Sequence, residues 1–497
     1  MSERRTEARL SRLAAADALD RQPWPEHANN GEEGDYPYVA NYSKGLPHDK
    51  FGEVRPEAYN TLLRALATGR PEDFERIPLG RGLRLTNPQS GLAFDLEGPD
   101  AQSLAMPPAP RIDSARNSAE AVELYWMALT RDVPFTEYGD NPLIAQAAEE
   151  LSRLSDYRAP KVGGRVTPAT IFRGDTRGDL RGPFVSQFLL RDIQYGTLRI
   201  PQLHDTVQPD CDFLTDFKAW RAVQEGAAVP GIERDQVHRR YLRNGRDLAN
   251  YVHFDALYEA YLNAALILLD LGAPVDTGNP YEHSANQIGF GTYGGPHLLS
   301  LVTEVATRAL KAVWFQKWFV HRRLRPEAFG GRVHAHLSGL RDYDMIDREV
   351  LDSEAVKLAH EKHGSYLLPQ AFPEGSPTHP AYGSGHATVA GACVTVLKAW
   401  FDESWVLPDP VVPNADGTAL KPYKGGEALT VGGELDKVAA NVATGRNMGG
   451  VHWRTDFTEA VLLGEQVGIG VLRDHVRVNH EDASFGLTRF DGRRVTI

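Results

Sequence analysis

The sequence is poor in the features that classify a protein fastest. Its 497 residues include only two cysteines, Cys211 and Cys393, which stand 182 positions apart. A disulfide framework, a CxxC redox pair and a Cys/His zinc spacing are all excluded, and cytosolic-type thiols are expected. Long hydrophobic runs are missing as well: stretches such as 264–269 fall far short of the roughly 20 residues that span a bilayer. The opening MSERRTEARLSRLAAADALDR is charged and holds no apolar signal segment. These absences lead to the expectation of a soluble, cytoplasmic chain. Positive charge is in deficit too, with 54 Lys and Arg against 66 Asp and Glu and a net charge of −12. Such a surface repels nucleic acid and anionic lipid, so neither is an expected partner. Any anion the protein binds must be held by a local cluster of cations working against the global field.

What is present describes a folded, mainly helical chain. Hydrophobic residues make up 42% and charged residues 24%, far from the composition of disordered chains. Strand signals are few and short, for example at 82–86 and in the final RRVTI. Apolar spacing predicts helices from Ser118 to the residues before Pro134, then over 142–156, 215–225, 245–271, 296–324, 385–402, 433–448 and 457–479. Residues 1–60 alternate charge clusters with proline, glycine and asparagine and read as an extended arm. A length prior of roughly 150 residues per domain suggests about three domains. Yet no linker divides the carboxy-terminal half and no internal repeat is evident, so we expect one domain over 1–497. Its fold class is a large helical bundle with few short strands and long ordered loops, and its active-site core lies in 296–479.

Several familiar motifs are absent or fail on context. No Walker sequence occurs, and Tyr382 and His386 stand where GxSxG requires glycines. Gly289, Gly291 and Gly294 spell GxGxxG without a preceding strand; His360 and His363 lack the HExxH arrangement, and His334 and His336 read as part of a glycine-rich loop. Three other segments carry complementary chemistry. In KWFVHRRLRPEAFGG, Lys317 and Arg325 are eight residues apart, about 12 Å along a helix, but Pro326 biases Arg325 out of the helix and lets it return toward the lysine. In SPTHPAYGSGHATVAGACV, Ser384 offers a hydroxyl and Gly385 a bare backbone at a helix start, with His386 beside them. In ATGRNMGGVHWRTDF, Gly449 and Gly450 break the helix between Arg446 and His452, and Asp456 can accept a hydrogen bond from His452. Taken singly, these segments also admit plain readings as a basic helix end, a serine cap and a packed His–Asp pair. Taken together they describe a cradle of three cations and several neutral donors, the set that holds a tetrahedral oxyanion.

The ordered pattern Lys–x7–Arg–Pro, Ser–Gly–His, Arg–x5–His–x3–Asp resembles the signature shared by vanadium-dependent haloperoxidases and the acid phosphatases of the PAP2 superfamily. The HPAYGSGHA and GRNMGGVH contexts, with ELYWMALTRDVPF and GPFVSQFLL, are most similar to the algal and cyanobacterial bromoperoxidases over nearly the whole chain. The resemblance implies a vanadate cofactor bonded to His452 and neutralised by Lys317, Arg325 and Arg446, with Ser384 and Gly385 as further donors. It implies His386 as the acid–base group for hydrogen peroxide, Lys317 as the group that polarises the peroxide, and His379 as a second pocket histidine. Trp314 matches a pocket aromatic, and Gln316 is expected to border the halide site. The implied activity is oxidation of halide, bromide and iodide foremost, to hypohalous acid that halogenates a small organic acceptor. The rival activity is phosphatase chemistry with His452 as nucleophile. A homodimer or higher homo-oligomer is implied, and a structural calcium ion is allowed for, although no acidic loop locates one. Gly383 and Gly445 depart from the proline and serine of the usual pattern and are expected to loosen the pocket.

Overall fold

The computed structural model describes residues 2–232 and 234–497. Its longer helices are α1 (Ser2–Arg21), α2 (Pro56–Thr68), α3 (Ala115–Thr130), α4 (Pro142–Arg153), α5 (Phe217–Gln224), α6 (Gly245–Phe254) and α7 (Glu259–Asp270). They continue with α8 (Gly295–Phe315), α9 (Pro326–Leu337), α10 (Glu354–His363), α11 (Gly385–Trp400), α12 (Val431–Met448) and α13 (Arg454–Val478). Among the described residues the strands form only two-stranded antiparallel ribbons, and the last of them pairs Gly486–Thr488 with Arg494–Thr496. The protein is therefore mainly α. One principal apolar cluster draws on residues from Ala40 to Phe490.

The centre of the bundle is the contact of α11 with α13, and small residues set it. A methyl group on Gly391 would overlap the Val461 carbonyl, and one on Gly464 would overlap the Thr388 carbonyl. Side chains at these positions would drive the helices apart. The close approach fixes the starts of both helices side by side, and Ser384 N–H donates to the Asp456 carbonyl at 2.9 Å.

Several sequence expectations are corrected. Residues 1–60 are not an extended arm throughout, because α1 fills the first third and α2 begins at Pro56. The alanine, leucine, arginine and glutamate of α1 are strong helix formers, and its weak apolar stripe hid it from a periodicity search. Between the two helices the chain does wrap over its neighbours: Tyr42 N–H donates to Arg322 O at 2.8 Å, and Lys44 pairs with Glu327 at 2.6 Å. No strand forms at 82–86. Helix α3 is capped by Ser114, which accepts from Asn117 N–H, and Ser118 lies inside its first turns. His334 and His336 lie on α9 rather than in a loop.

Two further corrections shape the site. The span 245–271 is two helices, and Asp255 stands at the break in extended backbone as the C-cap of α6. The span 296–324 is α8 followed by a π-helix over Gln316–His321, after which Arg322 turns the chain at a φ of 44°. Such widened turns are found mostly at functional sites.

Candidate functional site

Arg325 is the hub of the site. It caps α9 in extended backbone, φ −76° and ψ 150°, with Pro326 at the first helical position as its sequence context requires. Its Nη1 lies 3.0 Å from His452 Nε2 and donates to Val451 O at 2.7 Å, while Nη2 reaches His379 Nδ1 at 3.0 Å and Nε donates to His379 O. Lys317 Nζ donates to the carbonyls of Pro380 and Ala381 at 2.8 and 3.0 Å and sits over the Trp314 ring. Arg446 Nη1 donates to Val252 O at 2.8 Å, and its buried Nε has no partner among the described residues. Among those residues none of the three cations forms an ion pair with an acid side chain, although all are buried. Burial and the neighbouring Arg325 push Lys317 well below the ordinary lysine range, and burial lowers Arg325 and Arg446 to about 10. Asp456 acts on Lys317 and Arg325, and Asp255 and Glu374 act on Arg446, only through space, and burial outweighs them.

His452 stands at the floor of this cluster. Gly450, at a φ of 80°, ends the α12 exit turn, so His452 leaves the helix that carries Arg446 and faces back toward it. Its Nδ1 is 2.8 Å from Asp456 Oδ2, an oxygen that also accepts from Trp453 N–H at the start of α13. Asp456 Oδ1 is held by Arg323, whose guanidinium continues to Asn117 and Glu120. The aspartate therefore fixes the Nδ1–H tautomer and leaves the Nε2 lone pair facing Arg325. Burial, Arg325 and Lys317 keep the ring neutral by driving its pKa well below the usual histidine value, and burial, Lys317 and Arg325 do the same to His379.

A cavity of about 360 Å3 opens above the floor and is lined by Trp314, His379, Gly385, His386, Arg446 and His452, with residues of α6 and of the 374–377 loop completing it. Ser384 caps α11, accepting from Ala387 N–H, and Gly385 begins the helix. His386 is at the rim, where its Nε2 meets Asp255 Oδ1 at 3.0 Å. Burial works to raise the Asp255 pKa, but His386 and Arg446 outweigh it and hold the carboxyl below its ordinary range. Trp314 donates its Nε1–H to Thr86 O and stacks obliquely on His379 at 4.7 Å.

The structure thus gathers Lys317, Arg325, His379, Ser384, Gly385, His386, Arg446, His452, Asp456 and Trp314. Gln316 is the exception: it is fully buried, donates to Leu104 O at 2.9 Å and is not among the cavity-lining residues. One residue is about 100° of turn on a helix, so a neighbour of Lys317 faces another way. Gly383 and Gly445 do not loosen the pocket either. A Cβ at 383 would come within 2.8 Å of Ala460 and Met106, and one at 445 within about 3 Å of Leu248 and Val252, so both positions are tightly packed. Sequence reasoning missed Asp255, which lies outside 296–479 and is marked by nothing except the break in a long apolar pattern. It also missed Arg323, which lay within a quoted motif.

The molecule can now be set beside known proteins. Residues 297–480 match the family model of the VCPO second helical-bundle domain. Vanadium-dependent bromoperoxidases of Corallina pilulifera and Ascophyllum nodosum are 40% and 36% identical to the chain, with 98% and 100% of it and 97% and 93% of those proteins covered. The homohexameric structure of a second vanadate-dependent bromoperoxidase from Ascophyllum nodosum superposes with a TM-score of 0.93 at 29% identity, covering 100% of this chain and 90% of that one. With full-length relatives at this identity and a pocket built of buried, unpaired cations around an aspartate-held histidine, this chain belongs to the vanadium-dependent bromoperoxidases.

Proposed function

We propose that the cradle holds vanadate and that the protein oxidises halide, bromide and iodide foremost, with hydrogen peroxide to hypohalous acid. The observation that carries this reading is the surplus of buried positive charge at Lys317, Arg325 and Arg446, beside a histidine with one nitrogen fixed and the other presented. A tetrahedral oxyanion satisfies both, and the unpartnered Arg446 Nε is a donor in reserve for it. Bound there, vanadate supplies a Lewis acid that makes peroxide oxygen electrophilic without changing oxidation state.

The chain's own residues do the rest. His452 would hold the group through Nε2 while Asp456 holds Nδ1–H, and Arg323 holds Asp456. The three cations would neutralise its oxyanion charge, with Lys317 also polarising peroxide, and Ser384 and Gly385 would add neutral donors. His386, with Nε2 engaged by Asp255, exchanges the proton of hydrogen peroxide at Nδ1. His379, tethered by Arg325, and Trp314 wall the space the halide enters. The sum is H2O2 + Br− + H+ → HOBr + H2O: the O–O bond breaks, an O–Br bond forms, and bromide gives up two electrons to peroxide oxygen. The hypohalous acid halogenates a small organic acceptor.

Phosphatase chemistry with His452 as nucleophile is not favoured, since the full-length relatives are bromoperoxidases. We extend the homo-oligomeric state of the structural relative to this chain. Among the described residues no helix is long and apolar enough to cross a membrane. Glu97, Glu304 and His475 form a cluster of metal-ligating groups, but Arg308 already pairs with both glutamates, so we assign no calcium to it. The test is bromination of monochlorodimedone with peroxide and added orthovanadate, beside p-nitrophenyl phosphate hydrolysis without vanadate. Phosphatase turnover with no vanadate-dependent bromination would overturn the reading.

A further inference from the structure

The cavity is larger than the chemistry at its floor requires. Its volume of about 360 Å3 falls in the range of small-molecule sites, about 300–1,000 Å3, whereas halide and hydrogen peroxide have a few atoms. Its lining is of two unlike kinds. Leu310 and Trp314 stand four residues apart on the same face of α8 and, with Leu257 and Pro377, are apolar. Glu374 is acidic: its Oε1 accepts the Nε2 hydrogen of His253 and its side chain is 34% exposed.

Glu374 is held at two points, its carbonyl and its carboxylate. Its carbonyl accepts from Lys44 Nζ at 2.6 Å, and Lys44 is anchored by the buried Glu327. His253 stacks face to face on Phe372 at 4.0 Å, and Phe372 packs against the Arg446 guanidinium. Burial works to raise the Glu374 pKa, but the hydrogen bond and charge of His253, together with Lys44, hold it below the ordinary glutamate range. The cavity therefore carries a fixed carboxylate and apolar side chains in its lining and cations at its floor.

We propose that the outer half of the cavity binds the organic acceptor, an electron-rich aromatic ring bearing a cationic amine, with the ring against Trp314 and Leu310 and the amine on Glu374. This rests on the bromoperoxidase reading and names its acceptor class. Charge sets the orientation, because the Glu374 carboxylate draws the ammonium group to itself and leaves the ring to point inward. The transfer balances as ArH + HOBr → ArBr + H2O: the O–Br bond breaks, a C–Br bond forms, and the ring proton joins the departing hydroxide as water. Bromination then precedes escape of hypobromous acid.

The experiment is a competition. The full-length, vanadate-loaded enzyme is given bromide, peroxide and equal amounts of tyramine and 3-(4-hydroxyphenyl)propanoate, which share a phenol and differ in charge. The product ratio is compared with that from reagent hypobromous acid at the same pH. We expect the enzyme to favour tyramine over the reagent's ratio by about fivefold, the size of one exposed ion pair. Glu374→Gln returns the ratio to the reagent's value, and so does Leu310→Trp, which fills the apolar wall. Saturation-transfer signals of tyramine on the loaded protein without bromide are expected for the parent and lost in Glu374→Gln. A parent ratio equal to the reagent's overturns the proposal while bromide oxidation of monochlorodimedone stands. Absence of any vanadate-dependent oxidation would instead remove the reading beneath it.

Discussion

His452 and His386 each lean on an aspartate, at opposite ends of one pocket. At the floor, His452 is buried, its aspartate is four residues on, and that aspartate is locked by Arg323 and through it to Glu120. At the rim, the His386 side chain is 16% exposed, and its aspartate comes from a helix break 131 residues earlier. The floor is charged and buried, whereas the rim is partly open to solvent. In the function proposed above, the same pair of residue types fixes a ligand in one place and moves a proton in the other, and burial makes the difference.

Removing the histidines separates the two ends most sharply. His452→Ala is expected to lower orthovanadate affinity by about 100-fold or more, read by equilibrium dialysis with vanadium analysis. His386→Ala is expected to retain vanadate and to lose about 100- to 10,000-fold in bromide turnover. Equal vanadium loss in both variants would erase the distinction. The aspartates follow. Asp456→Asn should weaken vanadate binding about 10- to 100-fold. It should also destabilise the fold by about 3–5 kcal/mol in denaturant titration, because Arg323 is left buried with one carboxylate fewer. Asp255→Asn should lower turnover about tenfold with vanadate affinity intact; a matching loss of affinity would place Asp255 with the floor.

Ligand binding and pH probe the floor alone. Orthovanadate at about 100 times its dissociation constant should stabilise the vanadate-free protein by about 2.7 kcal/mol, seen as a rise in thermal midpoint. That gain should shrink in Arg446→Ala, where a donor is lost. The last probe is pH dependence. His379 and His452 titrate well below 6.5 when folded, so on acidification the unfolded chain takes up protons that the folded one refuses. Stability of the vanadate-free protein is complete above about pH 6.5 and declines as pH falls below it, by up to about 1.4 kcal/mol per unit and histidine. A flat denaturation midpoint from pH 7 to pH 5 would show that these rings are not held neutral.

Legibility followed the range of the forces involved. The helices α11, α12 and α13 and the start of α8 were readable to within a few residues because each has a long apolar period, and α8, α11 and α12 also have a glycine, proline or serine at an end. Helix α1 was missed because alanine and charged residues form a helix without an apolar stripe, and the break at Asp255 was missed because the apolar run continues across it. The site residues were legible where a motif spans them. Gln316 was misplaced for the opposite reason, since adjacency in sequence was taken for adjacency in space and the helix turns it toward Leu104.

By itself, the sequence determined the kinds of groups available and the local bends that present them: Pro326 frees Arg325, and Gly450 turns His452 out of its helix. Those are steric effects within a few bonds, and they act the same in any context. Only the tertiary structure decided that three cations would share one buried space with no acid among the described residues in ion-pair contact with them, that Asp255 would meet His386, and that Glu374 would line the same cavity. Charge interactions take their strength from burial, and burial exists only once helices far apart in the chain have packed. An acidic protein with a net charge of −12 has in this way built a pocket of the opposite sign.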